Sequence, residues 1–221
     1  MVYTQGKQHE VEIPNRGDVL DGFLLIPEQP KGIVLFVHGS GSSRFSSRNQ
    51  YVANYLNQSN LATLLFDLLT PDEEAVDVYT REYRFDIGLL ATRLIEVTKW
   101  SHSQFPNLNI GYFGSSTGGA AALMAAAYQK EEVKAIVSRS GRPDLAGEYL
   151  PTVETPTLLI VGELDDVVID LNKQAMSQMH CGNKLEIVPG ATHLFEEPGT
   201  LDEVAKLTKN WFLKHLTPTQ G

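Results

Sequence analysis

The stretch Asn109-Ile110-Gly111-Tyr112-Phe113-Gly114-Ser115-Ser116-Thr117-Gly118-Gly119-Ala120-Ala121-Ala122 decides the fold. An apolar run ends at Phe113, a G-x-S-x-G pattern follows, and an Ala-rich segment continues to Gln129. This reads as strand, sharp turn, helix, with Ser116 at the turn. A serine held there projects its hydroxyl above the sheet, in a strained conformation suited to a nucleophile. Glycines two residues away on either side remove the Cβ atoms that would clash across so tight a turn. Gly119 and Ala120–Ala122 let the helix pack close beneath. A bare G-x-S-x-G also fits a plain turn rich in small residues; the strand before it and the helix after it are what give the pattern weight.

The same alternation extends outward in both directions. Ile33–Val37 is apolar throughout, as expected for a strand covered on both faces. Leu61–Phe66, Val133–Val137, Thr157–Val161 and Lys184–Val188 are further strands. Ser47–Asn57, Arg84–His102, Asn172–Met179 and Leu201–Leu216 read as helices, the second with Ile87, Leu90, Leu94 and Val97 along one face. His9–Pro14 and Val19–Ile26, joined through Asn15-Arg16-Gly17-Asp18, read as an edge hairpin. The expectation is one α/β domain over residues 1–221, with a mostly parallel eight-stranded sheet and helices on both faces. Leu68–Glu82 has no clean period and carries Pro71-Asp72-Glu73-Glu74 and Asp77. It reads as a solvated acidic loop or a lid element.

Composition narrows the function. The 221 residues carry 18 Lys+Arg against 27 Asp+Glu, a net charge of −9. That balance argues against non-specific nucleic-acid binding, which rests on phosphate neutralisation by basic side chains. No apolar run reaches the ~18–20 residues needed to span a bilayer, and Met1–Glu10 lacks a signal-peptide core. Cys181 is the single cysteine, which favours a reducing compartment. Cytoplasmic location is the expectation, with neither a nucleic acid nor a membrane as partner. Oligomeric state is not legible. No clustered Cys/His spacing implies a metal, and no cofactor is expected.

A serine nucleophile needs a base and an acid. Two histidines lie at the C-terminal ends of strands, where sites assemble in open parallel sheets: His38 and His193. His193, in Pro189-Gly190-Ala191-Thr192-His193, is the candidate base. His38 opens His38-Gly39-Ser40-Gly41 and reads as a loop-shaping residue beside the substrate. Asp165, just past Thr157–Val161, is the candidate acid, with Asp166 its close competitor. Three correct residue types thus follow three separate strands in the order Ser, Asp, His, a joint demand more specific than any single motif. The backbone N–H groups of Thr117 and Ser40 are the candidate oxyanion donors.

The residues Phe36-Val37-His38-Gly39-Ser40-Gly41, Leu64-Leu65-Phe66-Asp67, Gly111 through Gly118, Leu159-Ile160-Val161-Gly162-Glu163-Leu164-Asp165 and Val188 through Phe195 together resemble the α/β-hydrolases, and within them the dienelactone hydrolase-related group. The resemblance runs from about Gly32 to Leu216. It implies Ser116 as nucleophile, Asp165 as acid, His193 as base, and Ser40 and Thr117 at the oxyanion hole. It also marks a departure, since dienelactone hydrolases use cysteine where this chain has Ser116. A serine esterase acting on small soluble esters or thioesters is therefore expected. Acyltransferase or amidase chemistry on the same triad, or a non-catalytic binding protein, are the alternatives.

Ser138–Pro156 leaves room for a small helix at most, so no large cap domain is expected. Arg139 and Arg142 lie just past a strand end, as candidates for anchoring a carboxylate or phosphate on the substrate; a surface pairing of Arg142 with Asp144 is the competing reading. Tyr79 and Arg84 are further candidates for the mouth.

Overall fold

The chain opens with β1 (Gln8–Asn15) and β2 (Asp18–Leu25), which pair antiparallel through a turn where Arg16 and Gly17 both have positive φ. Alternation explains β1, whose Val11 and Ile13 are buried while Glu10 and Glu12 face solvent. The remaining strands are β3 (Ile33–Val37), β4 (Ala62–Phe66), β5 (Ile110–Ser115), β6 (Val133–Arg139), β7 (Thr157–Gly162) and β8 (Asn183–Val188). Most are apolar throughout and buried on both faces, as helix-covered strands must be. In the computed structural model, which describes residues 3–217, these strands form one sheet in the order β1-β2-β4-β3-β5-β6-β7-β8. It is mixed: β1 and β2 are antiparallel at one edge, and the pairs from β4 onward are parallel.

Six helices cover it: α1 (Ser47–Asn57), α2 (Pro71–Thr80), α3 (Ile87–Gln104), α4 (Thr117–Tyr128), α5 (Asp166–Gln178) and α6 (Thr200–Leu216). Helices α1 and α6 pack together on one face, over Val34, Phe36, Phe113 and Val137. Helices α3 and α4 pack on the other, over Ile33, Leu35 and Tyr112. The alanines of α4 are the consequence of its place: nearly every residue from Thr117 to Ala126 is buried, and small side chains let it lie close to strand and neighbour alike. Gly118 shows how close. A Cβ there would stand 2.6 Å from the carbonyl oxygen of His38 and closer still to that of Val37.

Two readings of the sequence are corrected here. The acidic stretch after Leu68 is not a loop, because Pro71–Thr80 is helix α2. Thr70 and Glu73 form a capping box at its start, and Asp77 is fully buried on its inner side. Second, α5 begins at Asp166, six residues before the expected start at Asn172. An aspartate in the first turn favours that beginning.

Between β6 and β7 the chain makes only short 3-10 turns over Pro143–Thr152, broken at Gly147 (φ 50°). No cap domain is present among the described residues. No helix among them is long and apolar enough to cross a membrane.

Candidate active site

The nucleophile elbow is built by hydrogen bonds that pin Ser116 to the neighbouring strand. Ser116 N–H donates to the Arg139 carbonyl at 3.2 Å, and the Ser116 carbonyl accepts from Arg142 N–H at 3.0 Å and Gly119 N–H at 3.0 Å. The residue is thereby held at φ 51°, ψ −119°, a conformation that costs a non-glycine residue of order 1–3 kcal/mol. Gly114 makes the turn possible: a Cβ on it would lie 2.6 Å from both the Gly118 carbonyl oxygen and the Gly119 Cα.

The candidate base and acid arrive on two loops zipped to each other. Glu163 N–H donates to the Val188 carbonyl at 3.0 Å and Leu164 N–H to the Ala191 carbonyl at 2.9 Å. The Glu163 carboxylate in turn accepts from Gly190 N–H at 2.7 Å. Gly162 is required at the crossing, since a Cβ would stand 2.7 Å from the Thr192 carbonyl oxygen and closer to that of Ala191. The outcome is a 2.6 Å hydrogen bond between His193 Nδ1 and Asp165 Oδ2. Asp165 is the more enclosed partner, 15% exposed against 38% for His193. Asp166 starts α5 with its side chain turned to solvent, so the structure selects Asp165 of the two. With Nδ1 bound to the carboxylate, Nε2 is the nitrogen left to exchange a proton with a hydroxyl.

Ser116 and His193 line one cavity of about 240 Å³, together with Gly39, Ser40, Arg48, Asn49, Arg139 and Ser140. Ser40 is thus where the sequence places it. Thr117 is buried as the first residue of α4, directly after Ser116, and its side chain does not line the cavity. A larger hollow of about 690 Å³ lies at the outer sheet edge around Tyr3, Glu10 and Trp100 and holds none of these groups. Chemistry, not size, identifies the site.

His38 does not line the cavity that Ser116 and His193 share. Leu68 N–H donates to its Nε2 at 3.0 Å, which fixes the proton on Nδ1, and Nδ1–H donates to the Gly39 carbonyl at 2.9 Å. Both nitrogens are consumed in shaping the loop. Burial, partly offset by the Gly39 bond and by Asp67, pushes its pKa below the ordinary histidine value. Arg142 is corrected likewise: its guanidinium forms a fork onto Asp144 at 2.9 and 2.8 Å and does not line the cavity. Tyr79 is exposed on α2, and Arg84 is committed to Asp77, donating from Nε at 2.5 Å.

Arg139 is different. It is 6% exposed, lines the cavity, and makes no salt bridge among the described residues. Its Nε and Nη1 are buried without hydrogen-bond partners, and its guanidinium lies 5.9 Å from the Phe195 ring. Burial lowers its pKa to about 10, with the nearby charge of Arg48 as the second cause.

Arg48 and Asn49 carry no signal in the sequence, where they read as ordinary residues of an amphipathic helix. They reach the site because Ser46 caps α1 directly above it, accepting from Asn49 N–H at 3.3 Å. Asn49 Oδ1 accepts from Ser115 Oγ at 3.1 Å, tying that helix to the elbow.

Residues 20–216 match the profile of the dienelactone hydrolase family. This chain belongs to that family. A dienelactone hydrolase from Anabaena variabilis is 53% identical and superposes with a TM-score of 0.94, over 96% of this chain and all of that one. A lidless α/β serine hydrolase from Xanthomonas campestris (TM-score 0.76, 18% identity, 99% of this chain and 100% of that one) shares the fold. A Mycobacterium tuberculosis protein named as a candidate phosphoribosyl transferase is 54% identical over 212 residues, which are 95% of this chain and 47% of that protein. The chain therefore spans about half the length of the curated relatives it matches. Family membership agrees with the α/β-hydrolase architecture, and the elbow of this member carries serine. Its Cys181 sits at the far end of β7, with Sγ 4.0 Å from Thr157 Oγ1, and burial raises its thiol pKa.

Proposed function

We propose that this family member is a serine hydrolase that cleaves carboxylic esters or thioesters of small, soluble substrates through an acyl-enzyme on Ser116. The single observation carrying the reading is the joint placement of Ser116 on its strained turn and the His193–Asp165 pair at 2.6 Å, both opening on one cavity. In this mechanism Ser116 Oγ attacks the ester carbonyl while His193 Nε2 takes its proton. Asp165 holds the imidazole in the Nδ1–H tautomer and stabilises the imidazolium. The N–H groups of Thr117 and Ser40 take the developing negative charge, each worth about 3 kcal/mol in the transition state. His193 then gives the proton to the leaving alcohol or thiol, takes one from the water that attacks the acyl carbonyl, and returns it to Ser116 Oγ as the acyl–serine bond breaks and the carboxylic acid leaves.

The absence of a cap among the described residues supports an open site for short acyl groups. The phosphoribosyl transferase name belongs to proteins about half of whose length this chain matches, whereas the geometry here supports acyl transfer to water. The lone cysteine supports a reducing, cytoplasmic setting. A fluorophosphonate probe should label Ser116, as read by peptide mass spectrometry, and Ser116→Ala should lose both labelling and ester turnover, the latter by ~10⁵–10⁶-fold. Wild-type protein that is neither labelled nor able to turn over esters would be a binding module rather than an enzyme, and undiminished turnover in the purified variant would remove Ser116 as the nucleophile.

A further inference from the structure

The cavity in front of Ser116 holds a buried charge for which the triad has no use. Arg139 is more than nine-tenths buried, lines the cavity and has no counter-ion among the described residues. Arg48 lines the same cavity with its Nε also buried and unpartnered, and its one ion pair among the described residues is with the exposed Glu196 at 3.5 Å. Two like charges at one site repel, and a buried charge without a partner is costly, so such an arrangement is kept where something else neutralises it. Ser40, Ser42 and Ser46 contribute hydroxyls to the same lining, and no carboxylate lines the cavity among the described residues.

We propose that Arg139 and Arg48 form an anion subsite within the catalytic cavity, and that the substrate is an ester bearing a phosphate group. This rests on the reading of Ser116 as the nucleophile. Phosphate is favoured over carboxylate by charge and shape. Two guanidinium groups match a group carrying close to two negative charges, and surrounding hydroxyls can serve its three terminal oxygens. The subsite positions the substrate and takes no part in bond making. Phe195 backs the Arg139 guanidinium, fixing it in place while adding no opposing charge.

The test compares three esters with the same acyl and alkyl lengths, ending in phosphate, carboxylate or an uncharged amide. Expected kcat/KM follows phosphate, carboxylate, amide, and the preference for phosphate over amide falls by about tenfold to a hundredfold in Arg139→Gln. Arg48→Gln lowers the same ratio, and Arg139→Lys serves if the glutamine variant does not fold. Inorganic phosphate should inhibit hydrolysis of the amide-tailed ester competitively in wild-type protein. Equal kcat/KM for the three esters, or the absence of phosphate inhibition beyond that of chloride at equal ionic strength, overturns the subsite. A preference for carboxylate over phosphate overturns the assignment of phosphate. In each case hydrolysis would still depend on Ser116; if turnover survives in Ser116→Ala, it is the nucleophile reading that has failed.

Discussion

The Ser140 hydroxyl donates to the backbone carbonyl of His193 at 2.9 Å, so the strand that anchors the nucleophile also anchors the base. Ser140 follows β6, whose last residue, Arg139, accepts from Ser116 N–H. Its own φ of 43° turns it out of the strand direction. One short segment therefore sets the position of the nucleophile through a main-chain bond and of the imidazole through a side-chain bond. Ser140→Ala removes only the second. It should lower kcat about fivefold, the rate equivalent of ~1 kcal/mol for one hydrogen bond, with KM little changed. A rise in KM with kcat intact would show that Ser140 contacts substrate instead.

Asp165 and Asp166 offer a matched comparison, being the same residue type one position apart. Asp165→Asn should lower kcat by ~10⁴-fold, because an amide facing Nδ1 no longer selects the tautomer and cannot stabilise the imidazolium. Asp166→Asn should leave kcat nearly unchanged and cost about 0.3–1 kcal/mol of stability, the worth of an acidic side chain in the first turn of α5. Parallel ester assays and urea titrations of the two variants check both halves. Equal losses of activity would remove Asp165 from its assigned role.

The sheet strands, and the place of Ser116, Asp165 and His193 at strand ends, were legible because each rests on local chemistry. Apolar runs mark buried strands, and glycines mark the elbow at Gly114 and Gly118. What could not be read depended on partners distant in the chain. Pro71–Thr80 has no regular period because its buried face is polar: Asp77 is neutralised by Arg84, and Glu73 reaches Arg93 at 2.5 Å on α3. Arg48 and Asn49 look like surface positions until α6 and the elbow are placed around α1. A pairing of Arg142 with Asp144 was open in the sequence as one of two readings, and the fork onto Asp144 decides it, whereas the burial of an unpaired Arg139 had no local signal. Strand order followed the same limit, since β4 lies between β2 and β3 for reasons of crossover rather than of local pattern.

Asp77 gives a prediction about acid stability. Burial opposes its charge, but bonds from Arg84 N–H, the Arg84 guanidinium and Tyr83 N–H outweigh that cost and hold its pKa below the usual carboxylate value. A depressed folded pKa means that the stabilisation is complete above the unfolded value of ~3.9 and is lost as pH falls through the folded one. Asp77→Asn should destabilise the protein by about 1–3 kcal/mol at neutral pH, through a weakened network around Arg84. The difference between wild type and variant should shrink below pH 4. Arg84 also packs near Gly41, where an added Cβ would lie 3.0 Å from Nη1, so ester turnover should fall together with stability. A constant stability gap from pH 7 to pH 3 would exclude the carboxylate charge as the cause.

His38 predicts a second pH dependence, in a different window. Its folded pKa lies below the ordinary value, first because of burial, with the bond to Gly39 and the charge of Asp67 opposing. Above about pH 6.5 the ring is neutral in both folded and unfolded chains and adds no slope. As pH falls below that value the unfolded chain takes up a proton that the folded one resists, and stability is lost until the folded pKa is reached. The slope approaches ~1.4 kcal/mol per pH unit for one such proton. His215 is also shifted down, by burial and by Lys214, so the comparison must cancel it. Urea midpoints of wild type and His38→Gln, taken from pH 7.5 to pH 5.5, do so, because His215 is present in both. Glutamine retains an oxygen able to accept from Leu68 N–H and does not titrate. The variant should therefore lose less stability over that range than the wild type, whereas parallel curves would mean that His38 binds its proton equally well in both states and that the loop tolerates the imidazolium.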